Sequence, residues 1–420
     1  MGRFLYDIFL VLYSLGIRVT SIWNPKARQW LYGRKQLIVA ASETLNKPKE
    51  KVIWMHCASL GEFEQGRPLL ERLKNDFPSY HIVLSFFSPS GYESAKHYKG
   101  ADQVTYLPMD SKKNAGKFIA TINPFLVLWI KYEFWFYYLS ELKNRNIPVI
   151  LVSGIFRPNQ PFFKWYGGIW RKMLDFFTCF FVQNEESSKL LDRLHTTQPV
   201  FINGDTRFDR VIAIAGNFER VPGIESFCGN RRVIVAGSTW EEDETELLHF
   251  IRIHPEIQFI IAPHEVDKDN ITRLRKILPD SLTYSILSEN KLGTTNGKNL
   301  LIIDNIGMLS RLYRYATIAY VGGGFGIDGV HNVLEAAVYG VPVVFGPEYE
   351  KFVEAAGLVE AGGGISFELP MGLETIFDEL LNNERELKRI GDAARHFVYS
   401  KQGATDRIIA YIQEKRLLTS

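Results

Sequence analysis

Short apolar runs alternate with amphipathic stretches along most of the chain. KVIWMHCAS, starting at Lys51, reads as a buried strand, Gly61 as a turn, and residues 63–76 as a helix with its apolar positions on one face. The same βα pattern recurs in HIVLSFFS before Pro89-Ser90-Gly91, in QVTYLPMD, in PFLVLWIKYE before a helix near 137–146, in IPVILVSG, and in CFFVQNE before SSKLLDRL. A second series opens near Arg232 with RRVIVAGS before a helix over 243–253. It continues through IQFIIAP, NLLIIDN before MLSRLYR, TIAYVGGG before a helix over 332–339, VPVVFGP and GGGISF. Strands this apolar cannot present one face to water, so each series predicts a parallel sheet covered by helices on both sides. The intervening FINGDTRFDRVIAIAGNFERVPGIESFCGN carries Gly204, Gly216, Pro222 and Gly229 and predicts a hinge.

The expected organisation is an N-terminal helical segment over 1–50, a Rossmann-like domain over 51–205, a linker over 206–230, a second Rossmann-like domain over 231–395, and a C-terminal helix over 396–420 that packs back. At 420 residues the chain is about three times the roughly 150 residues of a typical domain, which agrees with two domains and an extra segment. Open α/β sheets bind ligands at the carboxyl ends of their strands, so both domains are expected to aim loops into a central cleft.

Residues 4–17 (FLYDIFLVLYSLGI) form an apolar run interrupted by Asp7, shorter than the roughly 20 residues of a membrane span. Trp23, Trp30 and Tyr32 follow among Arg18, Lys26, Arg28, Arg34 and Lys35, with no small-residue cleavage signal. Nine Lys/Arg against Asp7, Glu43 and Glu50 give residues 1–51 a local net charge of +6. Apolar residues, interfacial aromatics and cations together predict a helix docked on an anionic cytoplasmic leaflet; a core-packing helix with a solvated basic face is the alternative. A second aromatic and basic stretch covers 156–172.

Composition narrows the chemistry. Hydrophobic residues make up 46% and charged residues 23%, as in a globular protein, and the net charge of +2 argues against nucleic acid as a partner. Cys57, Cys179 and Cys228 lie far apart, so neither a disulfide framework nor a zinc site is indicated. GxxxxGK[ST], GxSxG, HExxH and acidic strand-end clusters are absent, which removes kinases, serine hydrolases and zinc proteases and leaves no demand for a metal or cofactor.

The richest stretch is VGGGFGIDGVHNVLEAAVYGVPVVFGP, 321–347. Glycines after a strand, with a helix expected near Asn332, predict an anion site built on Gly323, Gly324 and backbone N–H groups. Gly324, Gly326 and Gly329 also fit GxGxxG with Glu348 about twenty residues on. That dinucleotide fingerprint is set aside, because the loop lies in the fourth unit of its series and the acid follows Pro347. His331 and Glu335, four apart, would share a helix face, with Glu335 placed to accept ribose hydroxyls. Ser238 and Thr239 after RRVIVAG can bond phosphate oxygens or act as caps, and His264 in APHE stands at a strand end. In the first series Glu62, just after Gly61, is either a general base or a helix-start carboxylate. Glu133 ends another strand, and Ser88, Ser90 and Gly91 form a polar turn.

HCASLGEFEQGRPLLERL, SFFSPSGYESA, YLPMD, KYEFWFYYLSELKNRNIPVILVSG, VQNEES, NGDTRFDR, AGSTWEEDE, APHE, GGGFGIDGVHNVLEAA and VPVVFGP occur in an order and spacing that resembles the 3-deoxy-D-manno-octulosonic acid (Kdo) transferase family, over about residues 1–400. The resemblance implies a GT-B fold and a metal-free inverting glycosyltransferase of lipopolysaccharide synthesis. The implied donor is CMP-Kdo, held by the C-terminal domain; the implied acceptor is a lipid A precursor (lipid IVA), met at the cytoplasmic face of the inner membrane. It further implies Glu62 as general base and Glu133 as a second essential acid. Ser238, Thr239, His264, Gly323, Gly324, His331, Asn332 and Glu335 fall to the donor, and Ser88, Ser90 and Gly91 to the acceptor. Family members often carry ETELW where this chain has IKYEFW, and only Glu133 and Trp135 keep their counterparts. A GT-B enzyme using a UDP-sugar, or a noncatalytic nucleotide-binding scaffold, would reuse the same loops.

Overall fold

The computed structural model describes residues 2–44, 51–131, 133–289, 297–326, 329–368 and 370–418; Tyr132, Ile327 and Asp328 of the motifs above lie outside them. The chain forms two compact units, Met1–Asp209 with Gly403–Ser420, and Arg210–Gln402.

Unit 1 holds the parallel strands β1 (Val52–Cys57), β2 (His81–Phe86), β3 (Gln103–Tyr106), β4 (Pro124–Ile130), β5 (Val149–Gly154), β6 (Cys179–Val182) and β7 (Val200–Ile202), in the order β3-β2-β1-β4-β5-β6-β7. Alternate side chains of each strand feed two separate cores. Trp54, Val127, Trp129 and Leu151 pack on one face, and Ile53, Met55, Leu126 and Leu128 on the other. Helix Ala404–Glu414 completes the second core with Ile408, Ile409 and Ile412, so the chain's last helix belongs to unit 1. Strand order reverses between β1 and β4, which places a topological switch point at their carboxyl ends.

Unit 2 repeats the plan with β8 (Val233–Thr239), β9 (Gln258–Pro263), β10 (Leu282–Thr283), β11 (Leu300–Ile302), β12 (Ile318–Val321), β13 (Val343–Phe345) and β14 (Gly364–Ser366). Their order is β10-β11-β9-β8-β12-β13-β14, and the switch point lies between β8 and β12. The short strands β7 and β10 have no counterpart in the sequence pattern. The segment 206–230, read as a linker, folds into helices Thr206–Gly216 and Ile224–Cys228, and helix Glu384–Tyr399 stays wholly in unit 2.

Helices Gly2–Thr20 and Pro25–Thr44 precede the first sheet, broken where Asn24 Oδ1 accepts the Lys26 and Ala27 N–H groups at 2.9 and 3.2 Å. One edge of this pair is docked. Tyr6 donates its hydroxyl to Asp110 Oδ2 at 2.7 Å, and Asp110 also accepts the Tyr137 and Tyr138 N–H groups; burial pushes its carboxyl up to about 6. Buried Arg34 donates to the carbonyls of Trp30, Phe87 and Leu107 and lies 3.7 Å from the Trp30 ring centroid, and burial lowers its guanidinium to about 9. The other edge is bare: Phe4, Leu5, Phe9, Leu12 and Trp23 are exposed. Among the described residues no single helix is long and apolar enough to cross a membrane, and the pair Gly2–Thr20 and Pro25–Arg34 is bent by 119°.

Candidate functional site

In unit 1 two loops meet at the carboxyl ends of β1 and β2. After β1, Ser59 caps helix Leu60–Asp76 by accepting the Glu62 N–H at 3.4 Å, and the Glu62 carboxylate turns back to accept the Ala58 N–H. The sequence S-x-x-E thus builds a relative of the capping box, with the acid bonded one residue before the cap. Glu62 is left 6% exposed. After β2, Ser88 caps helix Pro89–Ala95, accepting the Gly91 N–H at 3.1 Å, and Ser88 Oγ lies 3.2 Å from Ser90 Oγ. The two loops are joined by the Ser88 N–H donating to the Ala58 carbonyl at 2.8 Å. Glycine at 91 has a steric cause: a Cβ there would stand 2.5 Å from the Phe86 ring and 3.2 Å from the Leu60 nitrogen. Glu62 and the Ser88–Gly91 turn, far apart in sequence, therefore share one corner.

Glu133 follows β4, across the switch point. Its Oε2 accepts the Trp135 Nε1–H at 2.9 Å and lies 3.3 Å from His56 Nε2, while its carbonyl accepts the Trp129 Nε1–H. The side chain is 23% exposed, whereas His56, on β1, is completely buried. From helix Leu60–Asp76, Gln65 donates to Asp205 Oδ2 at 3.1 Å, and the same oxygen pairs with Arg207 at 2.8 Å, which holds NGDTRFDR against the helix. The sequence reading singled out neither His56 nor Arg207.

In unit 2 the loops after β8, β9 and β12 converge. Ser238 sits where the β8–β9 register shifts, with φ of 54°. A non-glycine residue held left-handed at a bulge costs about 1–3 kcal/mol and redirects the strand end. Trp240, His264 and His331 stack, with His264 centroids 4.5 Å from each neighbour. Trp240 donates its Nε1–H to His331 Nε2 at 3.0 Å, so that nitrogen carries no proton and a neutral His331 is protonated at Nδ1. Asp243 fastens the arrangement. Its Oδ2 accepts the Trp240 and Gly323 N–H groups at 2.8 and 2.9 Å, and its Oδ1 accepts the Tyr320 hydroxyl at 2.6 Å. Burial raises its carboxyl above the usual aspartate range, against the pull of those bonds. Gly322 is required where it stands, since a Cβ would lie 2.4 Å from the Ser238 carbonyl oxygen.

Three expectations change. The helix expected over 332–339 is a single turn, Leu334–Ala337, because the chain turns at 338–340 through Gly340, with φ of 74°. It is too short for a substantial dipole, and Asn332 and Glu335 are instead hydrogen bonded to each other at 3.1 Å. Thr239 is 1% exposed and gives its hydroxyl proton to Glu244 at 3.0 Å, so its side chain braces the helix behind the loop. Gly324 packs on backbone, where a Cβ would be 2.6 Å from Gly346. Ser238, His264, Gly323, His331, Asn332 and Glu335 all lie at or just beyond the carboxyl ends of β8, β9 and β12, together with Trp240 and Asp243, which sequence reasoning left unassigned.

A sequence model of the family described as "3-Deoxy-D-manno-octulosonic-acid transferase (kdotransferase)" matches residues 33–210. A 3-deoxy-D-manno-octulosonic acid transferase of Haemophilus influenzae is 27% identical over 97% of this chain and 97% of its own length. A bifunctional glycosyltransferase/methyltransferase of Fusobacterium nucleatum is 28% identical over 73% of this chain, which spans 49% of that relative's length. UDP-GlcNAc 2-epimerase from Neisseria meningitidis superimposes with a TM-score of 0.60 at 15% identity, covering 87% of this chain and all of that one, a likeness of fold alone. Two seven-stranded parallel sheets of Rossmann type, the motifs at their switch points and these matches agree on the GT-B class. Over residues 33–210 the chain matches the Kdo transferase family model, and over nearly its whole length it is similar to Kdo transferases, which are glycosyltransferases.

Proposed function

We propose that the protein transfers Kdo from CMP-Kdo to a lipid A precursor with inversion, Glu62 acting as general base. The observation that carries this reading is the Glu62 corner: a nearly buried carboxylate at the carboxyl end of β1, beside the Ser88–Gly91 turn and on the switch point that Glu133 also flanks. A sugar hydroxyl is a poor nucleophile. As its oxygen bonds to the anomeric carbon of Kdo, its proton passes to Glu62 and the bond to the CMP phosphate breaks. Ser88 and Ser90 supply hydroxyls to orient the acceptor. Mass measurement of the product from CMP-Kdo and a defined tetraacyl precursor tests the reading; transfer from a UDP-sugar, with none from CMP-Kdo, would overturn it.

The donor falls to unit 2. Ser238, His264 and the Gly323 loop suit the phosphate, and Glu335, steadied by Asn332, suits the ribose hydroxyls. Glu335→Ala is expected to lower CMP affinity about tenfold or more, since a ribose left without its charged acceptor loses roughly 1.5–3 kcal/mol. Calorimetry with CMP measures this, and an unchanged affinity would make Glu335 a structural carboxylate.

The membrane reading rests on the bare edge of helices Gly2–Thr20 and Pro25–Thr44, with Phe4 69% and Trp23 66% exposed, and on Trp165, 90% exposed, just before helix Gly168–Leu174, which packs on the first helix. Together with the local charge of +6 this supports the reading of a segment lying in the interface of the inner membrane, on its cytoplasmic side. Each cation near an anionic surface contributes about 1 kcal/mol, which salt screens, so flotation with anionic liposomes is expected to weaken in high salt without vanishing. Removal of residues 1–35 should abolish it and leave CMP binding intact. Truncated protein that floats as well as the intact chain refutes the anchor.

A further inference from the structure

Three neighbouring strands of unit 1 share one polar chain inside an otherwise aromatic core. Trp54 and His56 lie on the same face of β1, Ser85 is paired with His56 on β2, and Glu133 follows β4. Trp54 Nε1–H donates to Ser85 Oγ at 2.8 Å, Ser85 Oγ lies 2.9 Å from His56 Nδ1, and His56 Nε2 lies 3.3 Å from Glu133 Oε2. The Trp129 ring, 4.6 Å away centroid to centroid, walls the imidazole in. Trp54, His56 and Ser85 are fully buried, so the Trp54–Ser85 and Ser85–His56 bonds do not compete with water, while Glu133 at the end of the polar chain is 23% exposed.

The pattern of donors fixes the proton. An ionised carboxylate only accepts, so for a neutral imidazole the hydrogen sits on Nε2, facing Glu133. Nδ1 is then bare and takes the Ser85 hydroxyl proton, while the serine oxygen takes the Trp54 N–H. Trp54 Nε1, Ser85 Oγ and both His56 nitrogens are satisfied by this single assignment. On the carboxylate, Trp135 and His56 both donate to Oε2 and lie on different sides of it in sequence, one from the strand beneath and one from the loop itself. Two donors on one oxygen hold the Glu133 carboxylate in place at the switch point.

We propose that His56 is a positioning residue for glycosyl transfer, its tautomer set by Ser85 and Trp54 and its Nε2–H holding Glu133 Oε2 so that Oε1 meets the bound sugar. The inference rests on the reading of Glu133 as a group that touches substrate. A positioned group displaced by about 1 Å loses on the order of 100-fold in rate, and a positioning defect falls on kcat rather than on donor binding, which belongs to unit 2.

Full-length Glu133→Gln, His56→Leu, His56→Gln and Ser85→Ala are to be assayed with CMP-Kdo and a tetraacyl lipid A precursor, and the histidine ring nitrogens followed by NMR in protein labelled with nitrogen-15. The wild-type imidazole should show a slowly exchanging Nε2–H and an unprotonated Nδ1. His56→Leu should lower kcat about 10- to 100-fold with the KM for CMP-Kdo unchanged, and His56→Gln, which restores an N–H at similar reach, should recover most of that loss. Ser85→Ala, which leaves the imidazole in place, should mix the tautomers and lower kcat several-fold, and it decides the matter if His56→Leu does not fold. An Nδ1–H tautomer in the wild type overturns the proposal, as does unchanged kcat in His56→Leu or Ser85→Ala beside an impaired Glu133→Gln. Full turnover in Glu133→Gln overturns the reading of Glu133 and the proposal with it.

Discussion

Glu62→Gln is expected to lower turnover by about 100-fold or more while leaving CMP affinity unchanged. Glutamine is nearly isosteric and its amide oxygen can still accept the Ala58 N–H, so the turn after β1 and the Ser59 cap remain. What disappears is the ability to take a proton. The competing view, a carboxylate kept only for the start of helix Leu60–Asp76, makes a different forecast. Loss of charge at a helix N-terminus costs about 0.3–1 kcal/mol of stability and leaves kcat alone. Steady-state transfer measured beside a melting curve separates the two. Near-normal turnover with a slightly lowered Tm would remove Glu62 from the reaction.

Asp243→Ala should destabilise unit 2 by about 3–5 kcal/mol, because three buried donors, the Trp240 and Gly323 N–H groups and the Tyr320 hydroxyl, lose their acceptor together at about 1–3 kcal/mol each. The upper sum is not reached, since removing the carboxylate also relieves the cost of burying it, the cost that raises its protonation range. Urea unfolding followed by tryptophan fluorescence checks the figure, and a loss below about 1 kcal/mol would mean that the loops hold without the clamp. Asp243→Asn should fall between, as one amide oxygen can still accept while the new NH2 group faces donors.

Much of this was legible in the sequence because buried parallel strands are apolar on both faces. The runs at 51–59, 124–133 and 232–239 mark β1, β4 and β8 without ambiguity. β7, with three residues, and β10, with two, are too short to impose a period. Glu62, Ser238 and His331 are legible as candidates because residues after a strand and a glycine are where α/β sheets hold ligands. His56, Trp240 and Asp243 escaped for a common reason. Each acts through a partner 77 to 91 positions away in sequence, Glu133 for His56, His331 for Trp240 and Gly323 for Asp243, and only strand order brings them together. Thr239 misled because a hydroxyl beside a glycine turn has the same sequence signature whether it faces outward or inward. At 332–339 the run NVLEAAVY is helical in propensity, yet Gly340 and the following Pro342 end it after one turn.

The return of residues 403–418 to unit 1 makes unit 2 an insertion within unit 1, and this sets an order on the ribosome. Asp209, at the exit from unit 1, accepts the N–H groups of Gly403 and Thr405 at 2.5 and 2.6 Å, so departure and re-entry are pinned at one carboxylate. Ile408, Ile409 and Ile412 then fill the core beside Leu69, Leu70 and Leu73. Those leucines are synthesised more than 300 residues earlier, and they stay uncovered throughout translation of unit 2, whose own core is contiguous and can close first. The unit that is made first is therefore finished last, and the nascent chain carries an open apolar groove for the whole interval.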